Sequence, residues 1–165
     1  MTVGHAASSG RPCSHSRYGL TCCAYDQLVR EAGGRCQICG RAGQATGRGY
    51  LVVDHDPKIG DWAVRGLLCS TCNLTIEYAD APTSTQAAYL ASPWHARRGL
   101  TVPDEPPVGS RVQTGRRTYL RTSSAWEACD EFRGRRTMSW SQLTRRHPPD
   151  SLTIYSSVQA PAVAH

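Results

Sequence analysis

Two Cys-x-x-Cys pairs, Cys36–Cys39 and Cys69–Cys72, constrain this chain more than any other feature. Two-residue spacing lets both sulfurs of a pair turn toward one ion, so two such knuckles supply the four thiolates of a tetrahedral zinc site. Gly40 follows the first knuckle, where the backbone must turn tightly behind the sulfurs. Between and beside the knuckles stand Asp54, His55 and Asn73, which the zinc tetrahedron does not need.

The chain has eight cysteines, and its first residues have neither a basic start nor an apolar run. This pattern favours metal binding over disulfides and a cytoplasmic setting without a membrane span. Cys13, Cys22, Cys23 and Cys129 lack comparable pairing. A second metal site from Cys13, His15, Cys22 and Cys23 is the alternative to ordinary reduced thiols, which are the expectation.

Pattern divides the chain into a flexible lead over 1–17, a domain over 18–92, a Pro/Gly-rich linker over 93–110 and a basic extension over 111–165. Thr21 reads as the N-cap of a helix carrying Tyr25, Leu28 and Val29, stopped by Gly33–Gly34. Tyr50 to Val53 reads as a strand ending at Asp54–His55, and Ala63 to Leu68 as a second strand. Asn73 to Ala79 reads as a helix with Leu74 and Tyr78 on one side, and a shorter helix follows Pro82. Such a ββα unit is too small to be stable on its own core, and zinc supplies the difference. Beyond the linker, Arg117 to Thr122 is strand-like and Ser124 to Phe132 helix-like, with Pro148–Pro149 ending the order. The fold class is therefore small α+β, a zinc-stapled ββα core with flanking helices and a basic, partly irregular C-terminal extension.

Charge is uneven. The net is +6, from 19 Lys and Arg against 13 Asp and Glu. From Pro93 onward the arginines cluster at Arg97–Arg98, Arg116–Arg117, Arg133 with Arg135–Arg136, and Arg145–Arg146. Guanidinium forks bind phosphate bidentately, which points to DNA; a merely solvated basic tail is the plainer alternative.

Phosphodiester hydrolysis needs an activated water and a Lewis acid on the phosphoryl oxygens. His55 can be the base, since imidazole titrates near neutrality. Asp54 and Asn73 offer oxygen ligands suited to Mg²⁺ or Mn²⁺. Each has a duller reading: His55 as a surface histidine or a zinc ligand, Asp54 as a turn residue, Asn73 as a helix cap.

The stretches Leu51-Val52-Val53-Asp54-His55-Asp56 and Val64-Arg65-Gly66-Leu67-Leu68-Cys69-Ser70-Thr71-Cys72-Asn73 resemble the phage recombination endonuclease VII family, which belongs to the His-Me finger (HNH-like, ββα-metal) nucleases. Tyr18-Gly19-Leu20-Thr21 and Gly34-Arg35-Cys36-Gln37-Ile38-Cys39-Gly40 fit as well. The resemblance covers about residues 18–91. It implies zinc on Cys36, Cys39, Cys69 and Cys72, a divalent ion on Asp54 and Asn73, and His55 as general base. It also implies branched DNA such as four-way junctions as substrate, and a homodimer. Where the family commonly has Asp-His-x-His this chain has Pro57, which leaves Lys58 or Arg65 to meet the substrate phosphate. The competing functions are an HNH endonuclease nicking plain duplex, a non-catalytic zinc-ribbon DNA-binding module, and an adaptor in phage assembly.

Overall fold

The computed structural model describes residues 13–78, 81–129 and 137–155. The chain forms two compact units that divide at Leu100/Thr101.

The first unit opens with a 3-10 turn, Ser14–Tyr18, and helix α1, Cys22–Glu31. Thr21 caps α1 by accepting the Ala24 N–H at 3.1 Å. Gly33 and Gly34, both at positive φ, end the helical run and lead into the first knuckle. Strands β1 (Val52–His55) and β2 (Val64–Leu68) form an antiparallel pair. Helices α2 (Ser70–Glu77), α3 (Ser84–Ala91) and α4 (Trp94–Arg97) follow, and Thr83 with Gln86 makes a capping box on α3. One core joins Leu20, Leu28, Val64, Leu67 and Trp94; a second gathers Leu68, Ile76 and Tyr89 around Cys36 and Cys69.

Three local expectations shift here. Of the proposed flexible lead, residues 1–12 lie outside the described residues, while His15 is buried in the 3-10 turn. The strand β1 ends at His55, as expected, but begins at Val52 rather than Tyr50. Helix α2 starts earlier than Asn73, because Cys69 takes the cap position and accepts the Cys72 N–H at 3.4 Å. Asn73 is thus inside the helix and caps nothing. Leu74 and Tyr78, read on one side of this helix, are 59% and 73% exposed; Ile76 is the buried residue.

The second unit is a five-stranded antiparallel sheet in the order β6-β5-β4-β3-β7. Its strands are β3 (Arg111–Thr114), β4 (Arg117–Arg121), β5 (Trp126–Ala128), β6 (Thr137–Met138) and β7 (Leu152–Tyr155), with helix α5 (Trp140–Arg146) between the last two. Val112, Tyr119, Trp126, Met138, Trp140 and Leu143 form its core. Glu105 accepts the Trp126 indole N–H at 3.0 Å, and the Pro103 carbonyl accepts that of Trp140 at 2.9 Å.

An ordered sheet therefore replaces much of the expected irregular extension. The segment read as a helix from Ser124 is strand β5, which pairs Tyr119 with Ala128 and Arg121 with Trp126. Spacing by three in so short a run does not distinguish the two structures, and a sheet neighbour decides it. Phe132 lies outside the described residues. Order also continues past Pro148–Pro149. Pro149 begins a 3-10 turn, where its missing N–H costs nothing, and the chain re-enters the sheet as β7. The stretch 93–110 is divided, with Trp94 and His95 buried in the first unit and Pro103 holding Trp140 in the second.

Candidate metal and phosphodiester site

The two knuckles converge. The Sγ atoms of Cys36, Cys39, Cys69 and Cys72 all lie within 4.8 Å of one another, with Cys39 and Cys69 at 3.9 Å. Zinc–thiolate bonds of about 2.3 Å in a tetrahedron set sulfurs about 3.8 Å apart, so the set fits zinc in both donor type and spacing. The first knuckle is closed by the Cys36 N–H on the Arg41 carbonyl and the Gly40 N–H on the Cys36 carbonyl, both 2.8 Å. It is tied to β2 by Gln37, whose N–H reaches the Leu67 carbonyl at 3.1 Å and whose Oε1 accepts the Leu67 N–H at 2.7 Å. Burial opposes ionisation of Cys36, but amide hydrogen bonds from Cys39, Cys69 and Ile38 bring its thiol down to about 7. Burial and hydrogen bonds from the neighbouring cysteines push Cys72 well up. Four thiols this close share charge poorly until a cation joins them.

Asp54 is 3% exposed and accepts three hydrogen bonds. Arg65 donates to both its oxygens, Nε to Oδ2 at 2.8 Å and Nη2 to Oδ1 at 2.7 Å, and the Tyr89 hydroxyl donates to Oδ2 at 2.8 Å. Burial, then the adjacent Asp54 charge, raises the Tyr89 hydroxyl far above its ordinary value, keeping it a neutral donor. The bulge in the β pair makes the fork accessible. Asp54 faces Gly66 while His55 faces Val64, which leaves Arg65 as the extra residue.

Neighbours on a strand point to opposite faces. His55 accordingly meets a different set, with its Nε2 3.5 Å from Asp61 Oδ1 and its ring 5.3 Å from that of Tyr18. Asp61 also lies 3.7 Å from Arg17. The imidazole is partly exposed, its side chain retaining 23% of its accessible surface. Asn73 sits one turn into α2, directly after Cys72 of the four-cysteine set, and its Oδ1 is buried with no hydrogen-bond partner among the described residues. A buried acceptor left unpaired is costly and fits a hard cation.

Sequence reasoning missed Arg65, Tyr89 and Asp61 as partners of the candidate residues. Of the two residues named for the substrate phosphate, Arg65 donates instead to both oxygens of Asp54, and Lys58 is exposed in the loop after β1. Arg97 and Arg98 are likewise engaged within the unit, on Glu31 at 2.9 Å and Gln27 at 2.6 Å. Arg133, Arg135 and Arg136 lie outside the described residues. Among the described residues no helix is long and apolar enough to cross a membrane.

Against known proteins, residues 12–92 match the model of the recombination endonuclease VII family. Over 56 residues the chain is 52% identical to the Gene 59 protein of Mycobacterium phage L5 and 50% identical to that of Mycobacterium phage D29. Each match covers 34% of this chain and 32% of the phage protein, so the chain spans about a third of the length of these relatives. No solved structure matches.

Proposed function

With residues 12–92 belonging to the recombination endonuclease VII family, we propose that this chain is a metal-dependent DNA endonuclease acting on branched DNA. The observation that carries the reading is His55, partly exposed on β1 within the matched segment and flanked by a carboxylate. Cys36, Cys39, Cys69 and Cys72 would hold a zinc ion that ties the first knuckle to the start of α2. His55 takes a proton from water at one ring nitrogen, while Asp61 near the other favours the tautomer that leaves the first free. Asp54 and the unpaired Asn73 Oδ1 would hold Mg²⁺ or Mn²⁺, which supplies Lewis acidity at the phosphoryl and leaving oxygens when bound. Three donors occupy Asp54, so it offers that ion only its remaining lone pair unless Arg65 withdraws. Paired incision of a four-way junction needs two copies of the site, so the active form is a homodimer.

A second reading is favoured by one observation. The engagement of Asp54 by Arg65 and Tyr89 suits a structural carboxylate, and hence a non-catalytic zinc-stapled DNA-binding module. Nicking of supercoiled plasmid with and without Mg²⁺ or Mn²⁺ separates the two. The nuclease reading expects metal-dependent nicking that falls about 10²–10⁴-fold in a folded His55→Ala variant. No nicking by the wild type with either metal supports the second reading. A four-way junction cut faster than its linear arms supports branched DNA as substrate over plain duplex.

A further inference from the structure

Away from the four-cysteine group, a second set of metal-competent donors is assembled at the start of the first unit. The donor atoms of Cys13, His15 and Cys22 all lie within 4.8 Å of one another, and the Cys13 and Cys22 sulfurs are 3.8 Å apart. That separation equals the edge of a zinc–thiolate tetrahedron with bonds of about 2.3 Å. The two cysteines are nine positions apart in sequence. Their meeting follows from the 3-10 turn, which folds back so that its beginning stands beside the first residue of α1. His15 is 3% exposed, and its ring stacks on Tyr25 at 4.7 Å with 12° between planes, so its orientation is set by packing before any ligand arrives. Cys23, next in the chain, is exposed and does not join the group.

We propose that Cys13, His15 and Cys22 form a second zinc site, independent of the four-cysteine site, with water at the fourth position. Two thiolates and an imidazole are a borderline-soft donor set that selects zinc over Mg²⁺ or Ca²⁺. Binding displaces the two thiol protons to solvent and fixes the 3-10 turn to α1. The consequence reaches the candidate base, because the same turn ends in Arg17, paired with Asp61, and Tyr18, packed against the His55 ring. His15 and Tyr18 also line a groove of about 570 Å³ along β1, so the ion would stiffen one wall of it. In this proposal Cys13 and Cys22 serve as ligands, while Cys23 keeps its free thiol. The proposal does not depend on the nuclease reading.

The test counts zinc per full-length chain by native mass spectrometry under reducing conditions. Wild type is expected to carry two ions, Cys22→Ser one, and the neighbouring control Cys23→Ser two. Cys22 is exposed at the first position of α1, so its substitution removes a ligand without opening a core. Circular dichroism checks that the variant remains folded. Amide exchange of residues 13–20 should be faster in zinc-loaded Cys22→Ser than in wild type, and unchanged in Cys23→Ser. One zinc in the wild type overturns the proposal, as does equal zinc in wild type and Cys22→Ser. A mass lower by two hydrogens, mapped to a Cys13–Cys22 disulfide that persists in reductant, overturns it too.

Discussion

Replacing Tyr89 with Phe removes one oxygen and leaves the ring in its packed position beside Cys36 and Leu68. The lost group donates to Asp54 Oδ2 at 2.8 Å, in a place that is buried on both sides. Hydrogen bonds to a charged partner contribute roughly 1.5–3 kcal/mol, above the 0.5–1.5 kcal/mol of a neutral pair. Water cannot readily replace the donor here, so the upper part of that range applies. At about 1.4 kcal/mol per tenfold, amides that exchange only by opening of the unit should exchange about 40- to 150-fold faster. Hydrogen exchange read at β2, Val64–Leu68, reports the first unit without interference from the second. Repeating the substitution in an Asp54→Asn background completes a double-mutant cycle. Tyr89→Phe should then cost less, because a neutral acceptor gains less from the hydroxyl. The reasoning is refuted by exchange that changes less than twofold, or by an equal cost in both backgrounds. The same variant frees a lone pair on Oδ2, so if Asp54 binds the catalytic ion, nicking should reach half-maximum at lower Mg²⁺.

Three further outcomes are expected. Gly66→Ala would set its Cβ against Gln37 Oε1 and 2.9 Å from the Tyr89 hydroxyl; overpacking of about 1–3 kcal/mol, plus a broken Gln37–Leu67 bond, should destabilise the first unit by roughly 2–5 kcal/mol in urea titration. Cys69→Ser keeps a capping oxygen at the start of α2 but removes a thiolate, and should release the zinc of the four-cysteine set and unfold the first unit, since zinc binding of about 10–16 kcal/mol exceeds typical domain stability. A folded Cys69→Ser protein with undiminished zinc would contradict this. In the second unit, burial and then the charges of Arg117 and Arg146 lower His147 from 6.5, so the unfolded chain binds its proton first. Stability from this group is complete above about pH 6.5 and declines on acidification through the folded value; His147→Gln should flatten that part of a melting-temperature profile.

What the sequence made legible was local. Paired cysteines at fixed spacing, Thr21 as a cap and Gly33–Gly34 as a stop each act within a few residues, and the structure places all of them as read. The stretch Ala63 to Leu68, read as a second strand, is likewise β2 from Val64 onward. What stayed hidden was set by partners distant in sequence. Nothing near Tyr89 signals a carboxylate 35 positions away, and nothing in Arg65 distinguishes a fork on Asp54 from one awaiting phosphate. The helix expected around Trp126 failed for the same reason. Its residues pack equally well in either form, and β4 alongside settles the matter. In α2 the pattern was sound but the origin was not, because a cysteine serving as cap is a weak signal in sequence.

The second unit carries a consequence for how it is made. Strand β3 joins β4 through a tight local hairpin, Thr114 opposite Arg117, but its other side pairs with β7, Arg111 opposite Tyr155. As the chain leaves the ribosome, β3 to β5 can assemble early, while one row of β3 amides and carbonyls waits for a strand synthesised about forty residues later. Until β7 docks, that row is a template for any extended segment nearby. Premature termination before Leu152 would make the exposure permanent, and such products are expected to associate through β3. Strand β7 thus acts as a latch on the sheet, and translation pauses between α5 and β7 are the interval in which it stands open.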